Sequence, residues 1–176
     1  PECSVDSVII DILPMNDPPT ATDDSIKITE ATVLYESDIS TNLMANDYDI
    51  DNNKFRLLLA GGKEPGTEMI GQYGKMIINP DGSFTYIPEP DSVIKLDQSD
   101  TGRDVFNYSI TDDSLSTSTA NVTILIVGSN NPPEVTADTI KINEGAISVM
   151  YPSIIKNDYD PEGKTLQLIK VNNIFF

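Results

Sequence analysis

Asp47, Asp49 and Asp51 stand at alternate positions, and Asp158, Asp160 and Glu162 repeat that spacing further along the chain. Alternating acids in a turn can aim several hard oxygens at one point. That is the donor set of a Ca2+ ion, which takes six to eight oxygens from carboxylates, amides and backbone carbonyls. Unneutralised carboxylates brought within hydrogen-bonding reach of one another repel, and a bound cation reverses the sign. A second reading is equally physical: Asp and Asn favour turns because their side chains bond their own backbone. Both readings stand at this point. The helix-loop-helix calcium motif is excluded. Counting from Asp47, Asn52 occupies the position that requires glycine and Leu58 the position that requires glutamate.

Other chemistry is sparse. The 176 residues contain no histidine, so the commonest general base and transition-metal ligand is missing. With one cysteine, Cys3, neither a nucleophilic triad nor an internal disulfide can form. Gly61-Gly62 lacks the Gly-Lys-Ser/Thr continuation of a phosphate loop and reads as a turn. The chain is not expected to be an enzyme. A net charge of −17 opposes nucleic-acid binding and suits a surface that recruits cations. No apolar run reaches the roughly 18 residues that would suggest membrane insertion. No signal peptide is visible at Pro1, and the chain reads as an internal piece of a longer polypeptide. Asn107 and Asn121 head glycosylation sequons on the outward faces of their strands, but sequons also arise by chance in a chain rich in Asn, Ser and Thr.

The acids belong to a repeat. MNDPPTATDDSIKITEA at 15–31 matches SNNPPEVTADTIKINEG at 129–145, with Pro18 and Pro132 offset by 114. ANDYDIDNNKFRLLL at 45–59 matches KNDYDPEGKTLQLIK at 156–170 at an offset of 111, and residues 4–19 resemble 118–133 at 114. This order divides the chain into the last strand of a preceding repeat (1–13), a complete repeat (14–128) and the N-terminal part of a following one (129–176). A period of roughly 110 residues is domain-sized, so the units string together and do not stack as a solenoid. Asn-Asp-Pro-Pro at 16–19 and Asn-Asn-Pro-Pro at 130–133 read as short semi-rigid linkers.

Within a unit the hydrophobic period is two. Ile26 and Ile28 alternate with polar residues, as do Phe106, Tyr108 and Ile110, and Ala120, Val122, Ile124 and Ile126. Asn79-Pro80-Asp81-Gly82 is a turn inside a hairpin over 74–87, and 54–60 is a further strand. No segment shows a helical period. About seven short strands in roughly 110 residues predict an all-β, Greek-key β-sandwich. The stretch 88–104 is long for a sandwich loop.

These features resemble the cadherin-like and immunoglobulin-like tandem repeats of large bacterial surface proteins and adhesins. The resemblance is carried by the linker at 16–19, Glu30, Ala-Asn-Asp-x-Asp-x-Asp at 45–51, Asn-Pro-Asp-Gly-Ser-Phe-Thr-Tyr at 79–86, and Asp-x-Phe-x-Tyr-x-Ile-x-Asp at 104–112. It implies an extracellular, cell-surface location and a structural role as the stalk of an adhesin or as a filament, stiffened by Ca2+ at inter-repeat junctions. The first junction would use Asn16, Asp17, Asp47, Asp49 and Asp112, with Asp51 a further candidate ligand of the alternating set. The second would use Glu30, Asn130, Asn131, Asp158 and Asp160, with Glu162 and Glu144 as further candidate ligands. The partners implied are neighbouring repeats of the same polypeptide, with homotypic assembly open. The chain departs from the family where Ala31 and Gly145 follow the first-strand glutamates, and it lacks a Leu-Asp-Arg-Glu block, which removes two acidic ligands. The alternative is a ligand-binding adhesion module for a protein or glycan, using Tyr35, Tyr73 or loop 88–104.

Overall fold

The structure, a computed structural model, describes residues 7–30, 34–36, 42–139, 141, 143–145, 153–171 and 174–175. Cys3, Ala31 and Phe176 lie outside the described residues.

Two four-stranded sheets form the central unit. The first runs in the order β1 (Asp24–Thr29), β8 (Thr117–Val127), β7 (Thr101–Asp112), β3 (Phe55–Ala60). The second runs β2 (Leu34–Glu36), β6 (Phe84–Pro88), β5 (Gly74–Ile78), β4 (Glu68–Ile70). β1 lies parallel to β8, and every other pairing in the two sheets is antiparallel. The β-sandwich expected from the period-two pattern is therefore what forms. Further on, β9 (Lys170–Val171) and β10 (Ile174–Phe175) make a short antiparallel pair.

The alternation places Val122, Ile124 and Ile126 of β8 wholly out of water. They pack with Phe106, Tyr108 and Ile110 of β7 and with Met76, Ile78, Phe84 and Tyr86 from the facing sheet. Burial of this kind, worth roughly 25 cal/mol per Å2 of apolar surface, is what holds the sheets together. The hairpin turns at Gly82, whose φ of 80° suits glycine, and a Cβ there would meet Asn42 Oδ1. Gly61 and Gly62 form the expected turn after β3.

Three elements of the central unit were not legible in the sequence: β2, β4 and the helix α1 after β6. β4 is three residues long, too short for alternation to register. The long connection after β6 holds a four-residue helix, α1 (Pro90–Val93), with proline at its first position, and β7 begins at Thr101. Val93 and Leu96 of this connection plug into the core. Residues 7–13 form no strand ladder among the described residues, and Val8, Ile10 and Ile12 are exposed.

β7 has an unusual inward face. Asp104, Phe106, Tyr108, Ile110 and Asp112 are all buried, so the alternation carries a carboxylate at each end. Asp104 accepts hydrogen bonds from the Tyr86 hydroxyl at 2.7 Å and from the Gln72 N–H at 2.7 Å, with the Tyr73 N–H at 3.2 Å. This carboxylate pins the turn between β4 and β5, and Gly71 leaves it room. Replacing Tyr86 with Phe removes a donor from a buried carboxylate. The expected cost is about 1.5–3 kcal/mol in urea denaturation, and a variant within experimental error of wild type contradicts this role.

Candidate metal centres at the two poles

Thr101 pairs with Val127 and Thr111 with Thr117, while Thr29 also lies beside Val127. The end of β7 that carries Asp112 is therefore one pole of the sandwich, and the end of β1 that leads to Glu30 is the other. Each pole receives one of the two proline-containing segments.

At the first pole the loop over 47–53 is fixed from within. Asp49 Oδ1 accepts the Asp51 N–H at 2.8 Å and the Asn53 N–H at 3.2 Å. The entering segment is then tied to it: the Asp17 N–H donates to Asp51 Oδ2 at 2.7 Å, and Asn53 Nδ2 donates to Asn16 Oδ1 at 2.6 Å. Asn16 Nδ2 faces Asp112 Oδ2 at 2.8 Å, Ser116 Oγ at 3.0 Å and the Asp17 carbonyl at 3.0 Å. An amide nitrogen has two hydrogens, so three oxygens exceed what it can serve. Asp49, 8% exposed, buries its second oxygen, Oδ2, with no hydrogen-bond partner. Burial disfavours ionisation of Asp112, but the donors from Asn16, Ser116 and Ser114 together outweigh it and hold its carboxyl below the ordinary carboxylate value.

The second pole repeats the pattern. Asp160 Oδ1 accepts the Glu162 N–H at 3.1 Å and the Lys164 N–H at 3.2 Å, as Asp49 does two and four residues on. The Asn131 N–H donates to Glu162 Oε1 at 2.8 Å, as Asp17 does to Asp51. Asn131 Nδ2 stands among four oxygens: Glu162 Oε1 at 2.8 Å, Glu30 Oε1 at 3.0 Å, and the Ile94 and Ser129 carbonyls at 3.4 Å. Glu162 Oε2 is buried without a partner. Asn52 and Gly163, at matching positions of the two loops, both have positive φ, 57° and 76°. The bridge between Thr20 and Tyr48 has its counterpart between Glu134 and Tyr159.

The residues singled out from the sequence thus separate. Asn16, Asp17, Asp49, Asp51 and Asp112 gather at one pole, and Glu30, Asn131, Asp160 and Glu162 at the other. Asp47 and Asp158 are placed differently. Each accepts a backbone N–H at 2.8 Å, from Thr22 and Thr136 respectively, and so fastens the first residues of its unit. Asn130 Oδ1 meets the Lys164 ammonium. Glu144 is in an exposed turn with Gly145. Asn107 and Asn121 are exposed and face each other across β7 and β8.

Several contributors carried no signal in the sequence. Asn53, Lys164 and Ser116 bond into the poles through side chains outside the alternating acids. Asp97, from the long connection, pairs with Lys164 at 2.8 Å, which holds the Asp97 carboxyl below its ordinary range. The offset of 111 does align Asn53 with Lys164, so that difference could have been found by comparing the copies.

Among the described residues no group of three or more acidic side chains converges tightly enough to form an all-carboxylate cage. Each pole instead combines carboxylates with amide and carbonyl oxygens. An oxygen-only set with a buried orphan carboxylate oxygen fits a hard divalent cation such as Ca2+ and offers no soft ligand to a transition metal.

Next to the first pole, the Tyr108 hydroxyl lies 3.2 Å from both Asp47 Oδ1 and Asp24 Oδ2. Burial pushes the Asp24 carboxyl up to about 6. The Tyr108 hydroxyl opposes this and the Asp47 carboxylate adds to it. An unfolded chain releases that proton near the ordinary value of about 4. From about pH 4 to 6 the folded state therefore binds the extra proton, and this group's contribution to stability falls as pH rises. Asp24→Asn is expected to remove that slope and to be relatively more stable than wild type at pH 7 than at pH 4.5. Urea midpoints at the two pH values check it, and an unchanged slope contradicts it.

Comparison with known proteins agrees with this architecture. A family model of the bacterial cadherin-like domain matches residues 16–128. The chain is 31% identical over 139 residues, 74% of its length, to the calcium-binding lectin RapA2 of Rhizobium johnstonii, and it spans 57% of that relative's length. No helix among the described residues is long and apolar enough to cross a membrane. The sandwich, its two polar ends and the family match agree: this chain belongs to the bacterial cadherin-like domain family.

Proposed function

We propose that the chain is a stretch of an extracellular, cell-surface tandem array, a non-enzymatic adhesion module whose joints are stiffened by Ca2+. The observation that carries this reading is the first pole. There the buried Asp49 Oδ2 lacks a partner, and the Asn16 amide faces more oxygens than it has hydrogens. A cation bound there would join Asp49 and Asp112 of the sandwich to the segment leading into it. The recurrence of the same hydrogen bonds around Asp160 and Glu162 supports a repeated joint, and the calcium binding named for the relative supports the choice of ion. The proposal includes a stalk role, with neighbouring repeats of the same polypeptide as the first partners. Calorimetric titration of the chain with Ca2+ is expected to give saturable binding and a rise in Tm. Asp49→Asn is expected to weaken binding by roughly tenfold or more, by removing one charged ligand from a site of few carboxylates. A flat titration would reduce the acids to turn formers.

A second reading has its own observation. Gln72, Tyr73, Ser92, Lys95 and Leu96 line an open cavity of about 320 Å3, formed by the long connection and the β4–β5 turn. An aromatic ring beside amide, hydroxyl and ammonium groups suits a sugar, and the relative is named a lectin. In glycan-array binding, Tyr73→Ala is expected to abolish any signal the wild-type chain gives. Retained binding would remove this cavity from consideration.

A further inference from the structure

The two poles differ in charge at two matched positions, Asp17 against Asn131 and Asn53 against Lys164, and the latter pair brings in a cation. At the first, Asn53 bonds to Asn16 with a neutral amide. At the second, the equivalent position is Lys164, whose ammonium reaches Asn130 Oδ1 and Asp97 Oδ1. These contacts join three separate pieces of chain: the connection between α1 and β7, the linker after β8, and the loop of the following segment. Asp49, Asp51 and Asp112 have no Lys or Arg partner within ion-pair distance among the described residues.

We infer that Lys164 is a tethered counter-cation. It holds the second joint closed when no divalent ion is present, whereas the first joint depends on the ion. Lys164 thereby sets which joint of the array responds to calcium. Three features support this. The ammonium lies where the two segments meet and bonds to both of them. Its side chain springs from the loop that fixes Asp160 and Glu162, so the charge arrives with no loss of translational freedom. The remaining acids of that pole, Glu30 and Glu162, are already bridged by Asn131. Each pole also buries one unpartnered carboxylate oxygen, Asp49 Oδ2 at the first and Glu162 Oε2 at the second, and among the described residues only at the second does a nearby ammonium, that of Lys164, act on the loop acids. The part of this inference that concerns calcium rests on the cation reading above. The part that concerns closure by Lys164 does not.

Amide hydrogen exchange read by mass spectrometry separates the two. The Asp17 and Asn131 N–H groups, each bonded to a carboxylate across its joint, report on closure. Peptides covering 14–20 and 128–134 are followed in chelator and in calcium for wild type, Lys164→Asn, Lys164→Arg and Asp97→Asn. In wild type, calcium is expected to slow exchange at the first joint strongly and at the second little. In chelator, Lys164→Asn is expected to speed exchange at 128–134 by about fivefold, the effect of a partly exposed ion pair. Added calcium is expected to reverse that gain. Lys164→Arg should behave as wild type, and Asp97→Asn should reproduce part of the loss. Unchanged exchange at 128–134 in chelator for Lys164→Asn overturns the inference. Calcium that protects neither joint in any of the four proteins sinks the cation reading, while the chelator comparison still decides the role of Lys164.

Discussion

The inward face of β7 imposes a condition that the rest of the domain must meet. A strand that buries Phe106, Tyr108 and Ile110 also buries a carboxylate at either end, Asp104 and Asp112. A buried carboxylate is costly unless hydrogen bonds or a positive charge compensate it. At the Asp104 end the compensation is internal, from Tyr86 and the backbone of the β4–β5 turn. At the Asp112 end it comes in part from Asn16, a residue outside the strands of the sandwich. One pole is thus completed by the facing sheet and the other by the chain that leads into it. A domain built this way couples its fold to the segment that carries Asn16.

The same logic explains why the acids recur at the joints. Glu30 and Glu162 each present an oxygen to the Asn131 amide nitrogen, at 3.0 and 2.8 Å. Two such carboxylates repel each other, less strongly where solvent screens them. The Asn131 amide offsets only part of that. A divalent ion offsets more, and an ammonium on a nearby side chain offsets some of it at all times. The choice between the two separates a joint that stiffens with its ionic surroundings from one that is stiff throughout.

Much of this was legible in the sequence because it is periodic. Alternation gave β1, β7 and β8, the turn at 79–82 gave β5 and β6 as a hairpin, and 54–60 stood out as the further strand β3. The offsets of 114 and 111 foretold that the loops around Asp49 and Asp160 would fold alike, and the matching hydrogen bonds and positive φ values at Asn52 and Gly163 agree. What escaped was either short or non-local. β4 spans three residues, too few for a pattern. Asp97 reaches Lys164 from a connection with no copy in the chain. Asp47 shares the spacing of Asp49 but turns to the Thr22 N–H and the Tyr108 hydroxyl, because alternate residues of a loop need not share a face.

The central claim is that a cation sits against the orphan oxygen of Asp49. It is tested most directly by crystals grown with calcium and measured for anomalous scattering. The account predicts a peak within about 2.3–2.6 Å of Asp49 Oδ2, with Asp112 or Asp51 among its other ligands. A fully occupied water or a side-chain donor on that oxygen, with no anomalous peak at saturating calcium, would contradict it.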